Sequence, residues 1–294
     1  MTPGRRTVSR EAAGGCRSLP GSLPPGDRCD TLPGAVGRHL LFQFSDLHLL
    51  ARGRLPSGAD PLENLDRAID LIAESSSRPE GTVLSGDLAD AGDPVAYGLL
   101  RERIERLRAV TEAPVISIPG NHDDRGAVRS QLLAEGSPAG SGSDPIDQVH
   151  WFGGLRLISL DSVIPGSDAG ALNPAQLQWL SDELDIPAGD GTVLALHHPP
   201  IGSPIRSMAG MALARPEELA EVVDGSDVCL VVAGHNHHAS AGMLGSVPVW
   251  VSPALSYRSD PLEEDDYVGR IGSAFSRIDL VDGHPLVTFV PVPS

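Results

Sequence analysis

The sequence has few aromatic residues, few basic residues and few cysteines, and each shortage excludes a class of protein. Aromatic residues are 4% of the 294 residues and hydrophobic residues 40%, so the core must be largely aliphatic. The net charge of -17 argues against broad binding to nucleic acids or anionic membranes, which needs surfaces rich in Lys and Arg. A small anionic substrate is not excluded, because bound metal ions can invert the local field.

The three cysteines, Cys16, Cys29 and Cys229, show no metal-binding spacing, and an odd number without close pairs gives no disulfide framework. No apolar run approaches the roughly 20 residues that would span a bilayer. Arg5-Arg6 is not followed by the apolar stretch that a secretory or twin-arginine signal requires. We therefore expect a cytoplasmic protein in a reducing compartment, without a membrane span.

The composition of the chain changes near residue 36. Residues 1–35 are rich in Gly, Pro, Ser and Arg and have almost no apolar periodicity, which predicts a disordered extension outside the fold. Residues 36–294 are expected to form a single domain whose C-terminal part is rich in β-strands. Residues 136–145 are of low complexity and predict a mobile surface loop.

Apolar runs and helical periodicity alternate over most of the domain and then give way to strands alone. This order predicts an α/β fold whose sheet is extended or doubled by the C-terminal strands. The predicted helices span residues 61–75, 94–110 and 173–185. Strand-like runs alone follow near the C-terminus, at residues 247–251, 274–281 and 286–290.

Five predicted strands stop at side chains that can bind a metal ion. Alone, each fragment could be an ordinary turn or helix cap, because short polar motifs recur freely. All five share the same placement, however, and strand ends that carry ligands on one edge of a sheet converge in space. We therefore predict one pocket built from residues far apart in sequence. Its members are Asp46 and His48, Asp87, Asn121 and His122, His197 and His198, and His235 and His237.

The chemistry of these side chains limits which metal ions they could hold. The set contains no thiolate, so it does not match a structural zinc site. Mixtures of carboxylate, amide and imidazole ligands suit Mn, Fe, Co or Zn. The number of ligands exceeds what a single open catalytic ion uses, and it fits two ions that share a bridging carboxylate.

The motifs themselves are similar to those of a known superfamily, the calcineurin-like metallophosphoesterases. The matching segments are Asp46-x-His48, Gly86-Asp87, Gly120-Asn121-His122-Asp123, His197, and Gly234-His235-x-His237. Within it, Gly-Asn-His-Asp-Asp-Arg at 120–125 and Ala-Leu-His-His-Pro-Pro-Ile at 195–201 resemble the bacterial class III 3′,5′-cyclic nucleotide phosphodiesterases. The resemblance implies a four-layer α/β/β/α sandwich with two β-sheets and a dinuclear metal site at the strand carboxyl ends.

The resemblance also assigns ligands to two metal ions. One ion would be held by Asp46, His48, Asp87 and His237, and the other by Asp87, Asn121, His197 and His235, with Asp87 bridging. His197 is preferred over His198 because the family pattern places a Pro two positions after the ligand, unless the motif register is shifted. His198 would then have a packing or supporting role, and His238 is expected to be a surface residue.

The implied reaction is hydrolysis of a phosphodiester by a hydroxide that bridges two divalent or mixed-valence ions, Mn or Fe first and Zn or Co as alternatives. The two ions outweigh the charges of Asp46, Asp87 and the hydroxide, so the site attracts an anionic phosphate. An alkoxide leaving group needs a proton, and His122 is placed to donate it as general acid. Asp123 is expected to orient His122 through a hydrogen bond.

The expected substrate is a 3′,5′-cyclic nucleotide such as cAMP, hydrolysed to the nucleoside monophosphate. Glycerophosphodiesters, 2′,3′-cyclic nucleotides and phosphomonoesters are alternatives within the superfamily. A scaffold without activity is a weaker alternative, because no ligand is missing, and the acidic chain argues against a nuclease.

The walls of the substrate pocket and the oligomeric state are less well defined by the sequence. The loops at 52–60 and 201–215, with Arg125, Arg206 and Met208, are candidate walls of the substrate pocket. A homodimer is compatible with the resemblance.

Overall fold

A computed structural model of the chain describes residues 37–133 and 143–293. The expected extension at 1–35 and most of the expected loop at 136–145 lie outside these residues. The strands are β1 Arg38–Phe44, β2 Gly81–Ser85, β3 Val115–Ile118, β4 Gln148–Phe152, β5 Leu155–Leu160, β6 Thr192–Leu196, β7 Val228–Ala233, β8 Ser240–Leu244, β9 Val247–Val251, β10 Arg258–Ser259, β11 Gly269–Arg270, β12 Ser273–Val281 and β13 His284–Val292. The α-helices are α1 Pro61–Glu74, α2 Pro94–Thr111, α3 Arg125–Gln131, α4 Pro174–Leu184 and α5 Pro216–Val223.

The strands form two mixed sheets and one small ribbon of β10 and β11. The first sheet has the order β13-β12-β1-β2-β3, and the second has the order β4-β5-β6-β7-β9-β8. Strands β1 to β3 are parallel, as are β5, β6, β7 and β9. Strands β12, β13, β4 and β8 pair antiparallel with their neighbours. The C-terminal strands therefore extend one sheet and complete the other, as the sequence predicted.

The alternation of side chains along the strands produces three hydrophobic layers. In β1, Leu41 joins a cluster between the two sheets, whereas Phe42 and Phe44 pack in the cluster that includes residues of α1 and α2. In β6, Val193 lies between the sheets, whereas Leu194 packs with residues of α4 and α5. Because successive side chains point to opposite faces of a strand, each sheet is covered by the other sheet on one side and by helices on the other. The predicted α/β/β/α sandwich is confirmed.

Three helices begin at a polar side chain that is followed directly by proline. Asp60, Asp93 and Asn173 each accept a hydrogen bond from a backbone N–H group in the first turn of α1, α2 and α4. Proline suits the first helical position because its missing N–H would have no helical partner there. Asn173 also forms a reciprocal capping box with Gln176. These local signals explain why the starts of these helices could be predicted from the sequence.

The sequence did not predict the short elements α3, β4, α5 and β8. Each has eight residues or fewer, too short for periodicity to distinguish it from a loop. Helix α5 directly follows the loop that was expected to end at residue 215. Over the part of the chain that the structure describes, no helix combines the length and apolarity needed to traverse a bilayer.

Candidate dinuclear metal centre

The five predicted strand-end motifs follow β1, β2, β3, β6 and β7, and the fold brings them to one end of the two sheets. The backbone N–H of Asp46 donates to the carbonyl of Gly86 at 3.0 Å, and that of His48 donates to the carbonyl of Asp87 at 2.8 Å. The backbone N–H of His235 donates to both carboxylate oxygens of Asp46 at 3.0 Å. Hydrogen bonds therefore join the motifs of both sheets into one structure.

The first cluster contains Asp46, His48, Asp87 and His237, all buried, with their possible ligand atoms within 4.8 Å of one another. His48 Nε2 lies 3.4 Å from Asp87 Oδ2 and 3.0 Å from His237 Nε2. His237 Nε2 lies 3.4 Å from Asp46 Oδ1. These are the four residues that the resemblance assigned to one ion.

The second cluster is arranged around His197 Nε2. This nitrogen lies 3.1 Å from Asn121 Oδ1, 3.2 Å from His235 Nδ1 and 3.4 Å from Asp87 Oδ1. Asp87 thus turns one oxygen to His197 and the other to His48. A carboxylate placed between two clusters in this way has the geometry that a bridging ligand needs.

A hydrogen bond on the second nitrogen orients three of the histidines. The Nδ1 atoms of His197 and His237 lie 2.8 Å and 3.0 Å from the carbonyl oxygens of Ser85 and Tyr257. Because a carbonyl only accepts, each Nδ1 must carry the proton, and Nε2 faces the cluster. His48 Nδ1 lies 3.2 Å from Asp90 Oδ1 in the same way. Such partners for the outer nitrogen are typical of histidines that bind metals.

The donor set fits metal ions because it concentrates lone pairs without a matching cation. No arginine of the described ranges forms an ion pair with Asp46 or Asp87. Burial opposes protonation of His197, but Asp87 raises its pKa to about 9, so the site attracts positive charge. Burial lowers the pKa of His48, which leaves its Nε2 lone pair beside that of His237. Divalent cations between these groups would pair with the carboxylates of Asp46 and Asp87 and with the Nε2 atoms of His48 and His237.

Backbone strain is concentrated in the same residues. Five of them adopt positive φ values between 44° and 70°, a region that residues other than glycine rarely occupy. Strained backbone of this kind persists only where the surrounding structure enforces it, and it is common at functional sites. The five residues are Asp46, His48, Asp87, His235 and His237.

His122 lies beside the first cluster, and its side chain is 40% exposed. Its backbone N–H donates to Asp87 Oδ1 at 3.0 Å, and its Nδ1 lies 3.1 Å from Asp90 Oδ1. The hydrogen bond to Asp90, against the effect of burial, raises the pKa of His122 to about 9. Asp90 was not predicted from the sequence. The only available signal was its position three residues after Asp87, in a 3-10 turn at Asp90–Gly92.

Asp123 faces the backbone rather than His122 in the structure. Its carboxylate accepts hydrogen bonds from the backbone N–H groups of Leu88, Ala89 and Gly120, and from the hydroxyl of Tyr97 at 2.8 Å. The expected hydrogen bond from Asp123 to His122 is replaced by that of Asp90. Asp123 thereby ties the turn after β3 to the turn after β2, which carries Asp87.

The two remaining histidines of the motifs are both buried. His198 Nδ1 lies 2.8 Å from the hydroxyl of Ser162, and the His198 ring packs against that of His197. A ring nitrogen of His198 also lies within 4.8 Å of ligand atoms of His197 and His235, so its supporting role stays a prediction. His238 was expected at the surface, but only 7% of it is exposed. Its Nδ1 contacts the hydroxyl of Ser259 at 2.7 Å. The expectation was wrong because Ser259, the hydrogen-bond partner of His238, is distant in sequence.

The side chains that were expected to line a substrate pocket form ion pairs or belong to the core instead. Arg125 forms a bidentate ion pair with the buried Asp161, at 2.6 Å and 3.0 Å. Met208 is 4% exposed and belongs to the core. Arg206 pairs at the surface with Asp265, at 2.7 Å.

Comparison with known proteins identifies the family. A model of the calcineurin-like phosphoesterases matches residues 40–239, the segment that contains all five motifs. The chain belongs to the calcineurin-like phosphoesterase family. Family membership and the two buried clusters together support a site for two divalent metal ions. This calcineurin-like phosphoesterase also has the layered fold that its motifs implied.

Similar curated proteins support the family, and a solved structure supports the fold. A "Probable cyclic nucleotide phosphodiesterase" of Rhodococcus erythropolis is 40% identical over 224 residues, 76% of this chain and 73% of that protein. A "cAMP/cGMP dual specificity phosphodiesterase" of Mycobacterium tuberculosis is 39% identical over 223 residues, 76% and 69% of the two chains. A crystal structure of a dimetal phosphatase from Danio rerio aligns with a TM-score of 0.59 at 14% identity, covering 88% and 100%. The similarity to the Danio rerio structure shows the fold alone.

Proposed function

We propose that this chain hydrolyses phosphodiesters with two metal ions, and that its substrate is a 3′,5′-cyclic nucleotide such as cAMP, converted to the nucleoside monophosphate. The observation that carries the proposal is Asp87, which contacts both imidazole clusters beside the half-exposed His122. The names of the curated relatives from Rhodococcus erythropolis and Mycobacterium tuberculosis support the substrate class.

The ligands in this proposal are those assigned from the motifs. Asp46, His48, Asp87 and His237 would hold one ion, and Asp87, Asn121, His197 and His235 the other. Mn or Fe fits these oxygen and nitrogen donors best, and Zn or Co is also compatible with them. When bound, two such ions activate water for attack on phosphorus and neutralise charge on the phosphoryl oxygens.

The side chains around the ions supply positioning and a proton. His122 Nδ1 is held by Asp90, so Nε2 is the nitrogen that faces the substrate and gives its proton to the departing ribose oxygen. Asn121 contributes a neutral oxygen, which keeps the charge of the site positive. Asp123 acts through the backbone of the turn that carries Asn121 and His122. A homodimer and a cytoplasmic location stay predictions.

Metal analysis and a substrate panel test this proposal. The purified chain should contain about two transition-metal ions per molecule or regain them with Mn²⁺. It should hydrolyse 3′,5′-cAMP faster than 2′,3′-cAMP, glycerophosphocholine or p-nitrophenyl phosphate, with bis(p-nitrophenyl) phosphate as the reference diester. Asp87→Ala should abolish turnover and metal retention, whereas the matched surface variant Asp168→Ala should retain both. A chain that binds no transition metal and stays inactive with Mn²⁺ contradicts the proposal.

A further inference from the structure

A cavity of about 880 Å³ adjoins the metal-ligand cluster, and His237 is the only residue of its lining that has a role in the reaction proposed above. It opens between the 253–262 segment and strands β12 and β13, and His237 forms part of its wall. The volume is within the range of sites that bind small organic molecules.

Large hydrophobic side chains line one side of this cavity and remain exposed to solvent. Leu262 is 88% exposed, Ile271 64% and Phe289 48%, and all three belong to the same lining. Isolated exposed apolar residues are ordinary, but a concave group of them favours the burial of an apolar ligand surface.

An arginine without a partner also lines the cavity. The guanidinium of Arg258 forms no hydrogen bond or ion pair with a residue in the described ranges, and it acts on Asp260 only through a longer-range electrostatic attraction. The nearby carboxylate of Asp260 is already engaged by Arg270 at 3.0 Å. The guanidinium of Arg258 is therefore available to an anionic group of a ligand.

His238 forms part of the inner wall of the same cavity. The hydroxyl of Ser259 donates to the carbonyl of Asn236 at 2.6 Å, so its oxygen accepts from His238 Nδ1–H at 2.7 Å. This pair of hydrogen bonds fixes the His238 ring and ties the segment that carries Ser259 to the turn after β7, which gives the cavity a preformed inner wall.

We propose that this cavity is a ligand site, separate from the metal centre, for a small organic anion with an aromatic or apolar body. Arg258 pairs with the anionic group, and the exposed apolar wall covers the body. Because His237 belongs to both the cavity wall and the first cluster, an occupant contacts a residue of the metal centre from outside.

Fluorescence titration of the full chain with 8-anilinonaphthalene-1-sulfonate tests the site. This probe has an aromatic body and one sulfonate. We expect a single saturable site and a Kd that is about tenfold weaker in Arg258→Gln, the usual effect of losing a charged hydrogen bond. The matched control is Arg101→Gln, because Arg101 is an exposed arginine of α2 without a partner in the described ranges, and its Kd should equal that of the wild type.

A second pair of variants tests the apolar wall. Ile271→Asp places a negative charge beside the sulfonate and should weaken binding at least as much as Arg258→Gln. Ile186→Asp makes the same change at a residue that is 77% exposed outside the cavity, and it should have no effect. All four substituted side chains are exposed, so the fold should tolerate each change.

Competition experiments distinguish this site from the metal centre and show whether the ligand must carry a negative charge. Decanoate should displace the probe, whereas decyltrimethylammonium of equal chain length should not. Inorganic phosphate with Mn²⁺, which is directed to the metal centre, should leave the probe bound. Equal affinity in Arg258→Gln and wild type, displacement by the cation, or displacement by phosphate would each overturn the proposal. None of these readouts needs catalytic activity, so the result is independent of the proposed reaction.

Discussion

At the scale of single residues, the partner of the outer nitrogen decides what each histidine presents to the centre. For His197 and His237 that partner is a backbone carbonyl, which side-chain substitution leaves in place. For His48 and His122 it is one carboxylate, Asp90, which contacts both Nδ1 atoms. Asp90 therefore couples the orientation of a proposed ligand to that of the proposed acid.

Replacing His122 should have an effect that depends on the leaving group. In His122→Ala, hydrolysis of 3′,5′-cAMP should slow by about 10²–10⁴-fold, because the ribose alkoxide then departs without a proton. Hydrolysis of bis(p-nitrophenyl) phosphate should change by less than about tenfold, because nitrophenolate departs without protonation. Steady-state kcat values for both substrates, at equal metal content, measure the difference.

Asp90→Asn tests the same proton transfer through the carboxylate that contacts His122. The amide oxygen can still accept from Nδ1, so both imidazoles keep a partner while the negative charge is lost. Asp90→Asn should also lower kcat more for 3′,5′-cAMP than for bis(p-nitrophenyl) phosphate, and both losses should be smaller than those of His122→Ala. Similar losses of His122→Ala on both substrates would show that the residue serves the structure of the site rather than proton transfer.

Asp123→Asn should destabilise the fold more than it alters the chemistry. Both oxygens of Asp123 accept from N–H or O–H groups, so an amide NH₂ in either orientation would face a donor. We expect a loss of about 2–4 kcal/mol in the free energy of unfolding. Tyr97→Phe removes one of these donors and should cost about 1–2 kcal/mol. Urea denaturation measures both, and a loss for Asp123→Asn no larger than for Tyr97→Phe would contradict this account.

At the scale of elements, the strand-end motifs need glycine because ligands of other motifs approach the backbone closely. A Cβ at Gly120 would lie 2.2 Å from the backbone nitrogen and Oδ1 of Asp87, and one at Gly234 would lie 2.8 Å from Asp46 Oδ2. Both distances are far below van der Waals contact. Gly120 therefore permits the close approach of two strand ends within the first sheet, and Gly234 permits that of strand ends from the two sheets.

Gly120→Ala should accordingly disturb the metal centre as well as the fold. The added methyl group would displace the carboxylate of Asp87, so we expect a lower melting temperature and metal content well below that of the wild type. Gly98→Ala is the matched control, because a Cβ there meets no atom within 4 Å and the residue lies inside α2. The free energy of unfolding of Gly98→Ala should rise by about 0.5–1 kcal/mol. Normal metal content in Gly120→Ala would contradict the argument from close approach.

How far the elements and the site could be predicted from sequence depends on how local their causes are. The cap residues were predictable because a residue such as Asn173 acts on its immediate neighbours in sequence. The strand ends were predictable because each apolar run stops at a polar motif. Asp90 was missed because one 3-10 turn leaves no periodic signal. His238 was placed wrongly because Ser259, its partner, lies 21 positions away. Contacts of that kind have no counterpart in a local pattern.

At the scale of the whole molecule, long-range strand pairing limited the prediction further. Alternating strands and helices predicted an α/β fold whose sheet is extended or doubled by the C-terminal strands, and the resemblance of the motifs implied the two-sheet arrangement. Strand β1 pairs with β12, with Arg38 opposite Val281, and no local pattern records such a pairing. The cavity that contains Arg258 likewise joins residues between positions 237 and 292, which explains why no motif indicated it.

The two sheets are also linked by a buried histidine at the end opposite the metal centre. His39 in β1 lies with Nδ1 2.9 Å from Glu80 Oε2, at the start of β2, and with Nε2 3.1 Å from Asp190 Oδ2, before β6 of the second sheet. Burial opposes protonation, but the hydrogen bonds to Glu80 and Asp190 outweigh it and raise the pKa of His39. The protonated imidazole therefore holds one carboxylate from each side of the sandwich.

His39→Gln should lower stability in a way that depends on pH. The folded pKa lies above the unfolded value of 6.5, so the stabilisation is fully present below pH 6.5 and is lost as the pH rises through the folded pKa. We expect a loss of about 1 kcal/mol at pH 6, since both carboxylates are partly exposed to solvent, and a smaller loss at pH 9. His284→Gln, at an exposed histidine of β13, should show no such difference between the two pH values. Urea denaturation at both pH values measures the effect, and a loss for His39→Gln that is constant or grows with pH would show that its protonated form does not link the sheets.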